Sequence, residues 1–118
     1  MIKKLLVILM FAPISAIAGT IYCSGEITNT YVSSGASLYV KGTWRNDYMR
    51  LCNLTGTVNN TNAITCSMWA SYAATAMTNK KQVKIAFADN GGVTCANMGT
   101  YSNAPKVIYV MLTKTDIL

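Results

Sequence analysis

The stretch CSMWASYAATAMTNKKQVKIAFA, residues 66–88, changes its hydrophobic period part-way along, and that change decides the fold class. Met68, Trp69, Tyr72, Ala73, Ala76 and Met77 recur at the three- and four-residue spacing of a helix. Ser67 is its expected N-cap and Asn79 its last residue, while Ser71, Thr75 and Thr78 make a polar, uncharged stripe on another face. From Gln82 to Ala88 the period becomes two, with Val83, Ile85 and Phe87 on one side, which predicts a strand.

Toward the C-terminus, Asp89-Asn90-Gly91-Gly92 is a turn signal. A loop to Pro105 follows, and then Val107–Leu112, an apolar run expected to be a strand buried on both faces. Toward the N-terminus, Asn62–Cys66 and Tyr48–Leu54 are expected strands, joined by a turn-rich segment, Thr55–Thr61. Arg45-Asn46-Asp47 is an expected turn. Before it, Val32, Ala36, Leu38, Val40 and Trp44 fall on even positions, predicting one half-buried strand kinked at Ser34-Gly35. Gly19–Thr30 is polar and is expected to be an arm tied down by Cys23. Three strands, one helix and two strands make a mainly β chain. That order matches a small five-stranded Greek-key barrel, the OB fold, with its helix between strands 3 and 4.

The first 18 residues carry a second signal. Lys3 and Lys4 precede the apolar Leu5–Phe11 segment and the small-residue site Ala16-Ile17-Ala18, the pattern of a signal peptide. Residues 1–18 are therefore expected to be removed, with residues 19–118 forming one exported domain, secreted by way of the periplasm. The four cysteines, Cys23, Cys52, Cys66 and Cys95, are an even set suited to two disulfides in an oxidising compartment. Three pairings are open. Cys52 with Cys66 would join two expected strands, leaving Cys23 with Cys95.

Composition narrows the chemistry. The chain has no histidine, which removes the commonest general base and, without a CxxC pair, argues against zinc. Beyond residue 18 the carboxylates are Glu26, Asp47, Asp89 and Asp116, none of them paired in sequence, so no catalytic constellation is visible and no cofactor or metal is expected. Removing Lys3 and Lys4 leaves eight basic and four acidic residues, a net charge of about +4 that suits an anionic partner. Lys80, Lys81 and Lys84 are the only basic cluster and lack interleaved aromatics, so nucleic acid is not the expected partner.

Three features resemble the pentamer-forming B subunits of AB-type bacterial toxins of the pertussis and subtilase-cytotoxin kind. Tyr31-Val32-Ser33 is similar to the aromatic-containing triplet ending in Ser that starts a strand there. Cys52 and Cys66 enclose thirteen residues, the spacing of that family's hairpin disulfide. The Cys66-led helix runs into Gln82-Val83-Lys84-Ile85, similar to the family's helix-to-strand junction. The resemblance implies a non-catalytic receptor-binding subunit that forms a homopentamer, binds sialic-acid-terminated glycans and carries an enzymatic A subunit, ADP-ribosyltransferase-like or subtilase-like. It implies a sugar carboxylate held by the Ser33 hydroxyl and nearby main chain, with Tyr31 packed on the sugar. Ser34, Thr57 and Phe87 complete the implied glycan contacts. Gly56 and Thr57 stand where relatives often carry a basic or amide side chain, and Phe87 where one branch carries a tyrosine. Tyr22-Cys23-Ser24 is a competing match to the triplet, further from Cys52 than the family's spacing. The alternative function is an exported inhibitor or periplasmic binding module acting on a protein partner.

Overall fold

The computed structural model describes residues 19–89 and 91–114. The candidate signal peptide, Asn90 and Asp116 lie outside them.

Five antiparallel strands and one helix follow in the order β1 (Thr20–Val32), β2 (Ser37–Gly42), β3 (Arg45–Asn53), α1 (Ala63–Asn79), β4 (Gln82–Ala88) and β5 (Val107–Leu112). They form one sheet in the order β3-β2-β1-β4-β5. This order is compatible with the expected five-stranded barrel, but the sheet is not closed: β3 and β5 do not pair among the described residues. The connection between β4 and β5 fills part of that opening. Arg50 N–H donates to the Tyr101 carbonyl at 3.1 Å and Tyr101 N–H to the Tyr48 carbonyl at 2.8 Å, so the free edge of β3 finds backbone partners.

The long strand β1 is where the structure departs most from expectation. The segment read as a polar arm is extended throughout. Its alternation is present but faint: Cys23 and Ile27 point inward and are buried, while Tyr22, Ser24, Glu26 and Thr28 face out. The strand serves two halves of the sheet. Thr20–Glu26 pair with β4, and Ile27–Val32 pair with β2, with a register shift between Ile27 and Asn29. A bulge of that kind increases local twist, which lets one strand turn from one sheet half into the other.

Val32–Trp44, expected as one kinked strand, is a hairpin. Ala36 N–H donates to the Ser33 carbonyl at 2.9 Å, and Ala36 has a φ of 70°. The kink at Ser34-Gly35 is thus a full reversal, after which Leu38 and Val40 point into the core as the even-position pattern predicts. The turn expected at Arg45-Asn46-Asp47 falls earlier, at Thr43-Trp44, and Arg45 already pairs with Gly42.

The predicted strand Asn62–Cys66 is the first turn of α1. Asn62 is the cap in place of Ser67, its side-chain oxygen accepting from Thr65 N–H at 2.8 Å. The β-branched Ile64 and Thr65 look strand-like by propensity, but the capping bond and the burial of Cys66 and Trp69 outweigh that weak preference. Before the helix, Asn59 and Asn60 both have positive φ, and Val58 and Thr61 exchange backbone hydrogen bonds across them. Asparagine tolerates that left-handed geometry. The helix ends at Asn79 as predicted, with Lys80 at a φ of 53°.

Strand β4 matches its predicted range, and Val83, Ile85 and Phe87 are fully buried with Leu38, Val40, Met49 and Met98. Each such side chain contributes about 1.5–3 kcal/mol. Strand β5 also matches its range but is not buried on both faces. Val107 and Val110 are buried, whereas Ile108 and Met111 are exposed, as befits an edge strand.

The disulfides are Cys23–Cys95 and Cys52–Cys66. The second joins a strand to a helix rather than two strands, and the first fastens the β4–β5 connection under β1. Two bridges imply folding in an oxidising, non-cytoplasmic environment. Among the described residues, no helix is long and apolar enough to cross a membrane.

Candidate functional site

The two halves of the sheet each present a tyrosine cluster on the outer face. On the β1–β4–β5 half, strand alternation aims Tyr22 and Ser24 outward from β1, flanking the buried Cys23. Ser24 pairs with Lys84 and Tyr22 with Ala86, and Ala86 pairs in turn with Tyr109. The Tyr22 and Tyr109 rings meet over Ala86 with centroids 6.5 Å apart, which explains how an outward-facing alanine is fully buried. Lys84 Nζ lies 5.8 Å from the Tyr22 ring centroid, within cation–π range. One exposed patch therefore combines a serine hydroxyl, an ammonium group and two phenol rings. A carboxylate can accept from the first two while an apolar sugar face lies on a ring.

The Tyr31-Val32-Ser33 triplet sits differently from the expectation. It closes β1 instead of opening the first strand, and Ser33 belongs to the turn into β2. Ser33 is heavily committed to that turn. Its amide donates to the Ser37 carbonyl at 3.0 Å, its carbonyl accepts from Ala36, and its hydroxyl oxygen accepts from Ser37 N–H at 3.2 Å. Ser34 is exposed beside it. On this half of the sheet Lys41 pairs with Asn29, four residues or roughly 13 Å of strand before Ser33. Lys41 and Arg50 lie further along this outer face, Lys41 by Tyr48 and Arg50 as the cross-strand partner of Tyr39.

Thr57 is exposed on the loop between β3 and α1, with no hydrogen bond to the Tyr31 face among the described residues. Phe87 corrects the expectation outright. Inward parity on β4 puts its ring in the core with no exposed surface, so it cannot touch a sugar. The outward residue beside it is Ala86.

The two tryptophans differ in depth. Trp69 is buried, and Trp44 packs against the core across Gly42 and Gly25.

The second cluster surrounds Tyr31. Tyr31 and Tyr39 are directly paired across β1 and β2 and stack 4.8 Å apart at 16°. Tyr48 of β3 meets Tyr31 edge-on at 4.9 Å, and Tyr101 reaches Tyr39 and Tyr48 from the β4–β5 connection at 5.9 and 6.1 Å. The pKa of Tyr31 is raised by burial and by its tyrosine neighbours. That of Tyr101 is raised by burial first, then by the Asp47 carboxylate beside it. Tyr31 and Tyr101 therefore offer neutral hydroxyls at physiological pH. Sequence reading missed Tyr39, Tyr48 and Tyr101 as a group. The legible part was the parity of Tyr39, off the apolar even positions; its place opposite Tyr31 comes from the β1–β2 hairpin.

Among the described residues no group of three potential ligands could hold a metal ion. Comparison with protein-family models, curated proteins and solved structures gave no match.

Proposed function

We propose that this chain is a non-catalytic receptor-binding module that recognises sialic-acid-terminated glycans and acts as the B subunit of an exported AB-type toxin. The observation that carries the reading is the convergence of Ser24, Lys84, Tyr22 and Tyr109 on one exposed strand face. Lys84 and the Ser24 hydroxyl bind the sugar carboxylate, and the Tyr22 ring carries its apolar face. The competing triplet Tyr22-Cys23-Ser24 is thereby preferred to Tyr31-Val32-Ser33: it lies near the start of β1, and its bridged Cys23 faces inward without obstructing its neighbours.

Single shallow sugar sites are weak, about −4 kcal/mol at a dissociation constant near 1 mM. Five copies in a ring raise apparent affinity by roughly 10²–10⁴ where geometry permits joint engagement. The helix supports association of copies or docking of an A subunit. It bears no charged side chain from Ala63 to Asn79, and Ile64, Met68 and Met77 are exposed on it.

The test is titration with 3′- and 6′-sialyllactose. Lys84→Glu abolishes binding, and Ser24→Ala weakens it about tenfold, the scale of a hydrogen bond to a charged group. Ser33→Ala leaves it unchanged. Loss of binding in Ser33→Ala alone moves the site to the other sheet half, and absence of binding by the wild-type protein ends the reading. A stable monomer by light scattering at micromolar concentration removes the ring.

A further inference from the structure

The β1–β2–β3 half of the sheet gathers four phenols that the acidic-sugar site does not use, and their mutual geometry is uneven. Tyr31 and Tyr39 are cross-strand partners whose rings lie nearly parallel, 4.8 Å apart at 16°. Tyr48 meets Tyr31 edge-on at 77°, turning a ring edge toward a ring face. Tyr101 closes the circuit by reaching Tyr39 and Tyr48 at 5.9 and 6.1 Å, tilted by 58° and 40°. Among these contacts only Tyr31 and Tyr39 are both close and parallel. Tyr31 is 40% exposed, so solutes in the surrounding medium reach the pair.

Phenols in contact share a chemistry beyond packing, which is one-electron oxidation. Loss of an electron and a proton from a tyrosine leaves a phenoxyl radical, with its unpaired electron spread over the oxygen and the ortho carbons. Electron exchange between touching rings passes that radical around the cluster. A proton acceptor is at hand, because the Tyr101 hydroxyl donates a hydrogen bond to the Asp47 carboxylate. Competing electron donors are withdrawn: all four cysteines are in bridges, Trp69 is buried, and the Trp44 indole nitrogen is sealed from solvent. The same bridges imply an oxidising environment, without the reducing thiol pool that would quench phenoxyl radicals.

We propose that Tyr31 and Tyr39 are an oxidative modification site, joined by a haem peroxidase and hydrogen peroxide into a dityrosine that staples β1 to β2. The peroxidase removes one electron and one proton from each phenol. The two radicals combine through a new carbon–carbon bond between ortho positions, and each ortho hydrogen then moves to the phenol oxygen, restoring the aromatic rings. Hydrogen peroxide takes up the two electrons and two protons and leaves as two waters. The rings turn from stacked to edge-joined by side-chain rotation, which is fast for exposed residues. The site stands independently of the Lys84 patch. That patch supplies an internal comparison, since Tyr22 is more exposed, at 56%, but lies 6.5 Å from Tyr109 at 45°.

The experiment treats the intact protein with a haem peroxidase and hydrogen peroxide, follows dityrosine fluorescence, and maps the digested product by mass spectrometry. The expected product is a monomer lighter by two hydrogens and linked from Tyr31 to Tyr39. Methionine oxidation is distinguished in the map because it adds oxygen. Tyr39→Phe keeps the stacked ring but has no phenol to oxidise, and it loses the link, whereas Tyr48→Phe retains it. Tyr31 and Tyr39 are also near each other in sequence, so the treatment is repeated on protein unfolded in urea with its disulfides reduced and capped. There the tyrosines are expected to give a mixture of links. A preferred link at Tyr22–Tyr109 or another pair, dityrosine confined to covalent dimers, no dityrosine, or an unchanged Tyr31–Tyr39 preference in the unfolded chain overturns the proposal.

Discussion

Removing the two disulfides separately discriminates between loop entropy and local packing as the source of this domain's stability. Cys52–Cys66 spans 14 positions and closes a loop of about 15 residues, for which the chain-entropy expression gives roughly 3 kcal/mol. Cys23–Cys95 spans 72 positions, and a loop of about 73 residues gives roughly 4.4 kcal/mol. Packing works the other way. Cys52 and Cys66 are both completely buried, whereas Cys95 is only partly so. Taking the additional sealed sulfur as comparable to one methylene, that offsets about 0.8 kcal/mol of the gap. The Cys23→Ala/Cys95→Ala protein should then be less stable than Cys52→Ala/Cys66→Ala by about 0.6–1.4 kcal/mol, depending on how far the cavities relax. Urea unfolding followed by tryptophan fluorescence measures this. With m of about 1–3 kcal/mol/M, the midpoints differ by roughly 0.2–1.4 M. A lower midpoint for Cys52→Ala/Cys66→Ala would refute the reasoning and make burial at the strand–helix bridge the dominant quantity. The comparison also bears on recognition, because Cys23 lies between Tyr22 and Ser24.

Two further outcomes follow from local structure. Gly42 lies under the Trp44 ring, where a methyl group has no room, so Gly42→Ala should destabilise the domain by about 1–3 kcal/mol in the same urea assay. A neutral effect there would mean that Trp44 is free to move. The Asp89 carboxylate accepts from the Gly91, Gly92 and Val93 amides, and chiefly the first two hold its pKa below the ordinary value of 3.8. A depressed carboxylate stabilises the fold above its unfolded pKa and loses that contribution as pH falls through the folded one. The wild-type advantage over Asp89→Asn should therefore be greatest at neutral pH and shrink below about pH 4. A pH-independent difference would place the effect in packing alone.

The legible parts of the fold were those with strong periodicity. The C-terminal end of α1, the ranges of β4 and β5, and the inward parity of Val83, Ile85 and Phe87 all follow from spacing. Strand β1 was hidden because its inward positions include Cys23 and Gly25 in place of branched apolar residues, leaving a weak alternation. The first turn of α1 was hidden because its decisive feature is a capping bond from Asn62 to Thr65, and Ile64 and Thr65 have strand-like propensities. Phe87 could have been excluded as a contact from parity alone, since the predicted strand put it on the same face as Val83 and Ile85.

The order of the amino acids alone determined a small, mainly β chain with one helix before its last two strands, and the cysteines available to staple it. These follow from short-range periodicity, which needs no partner to be read. Tertiary structure decided which cysteines meet and which serine stands opposite a lysine. It also brought tyrosines 31, 39, 48 and 101 to one surface. The physical reason is register: which residues face one another across a ladder depends on a bulge in β1 and a reversal at Ser33–Ala36, and a one-residue change in either would exchange the inner and outer faces.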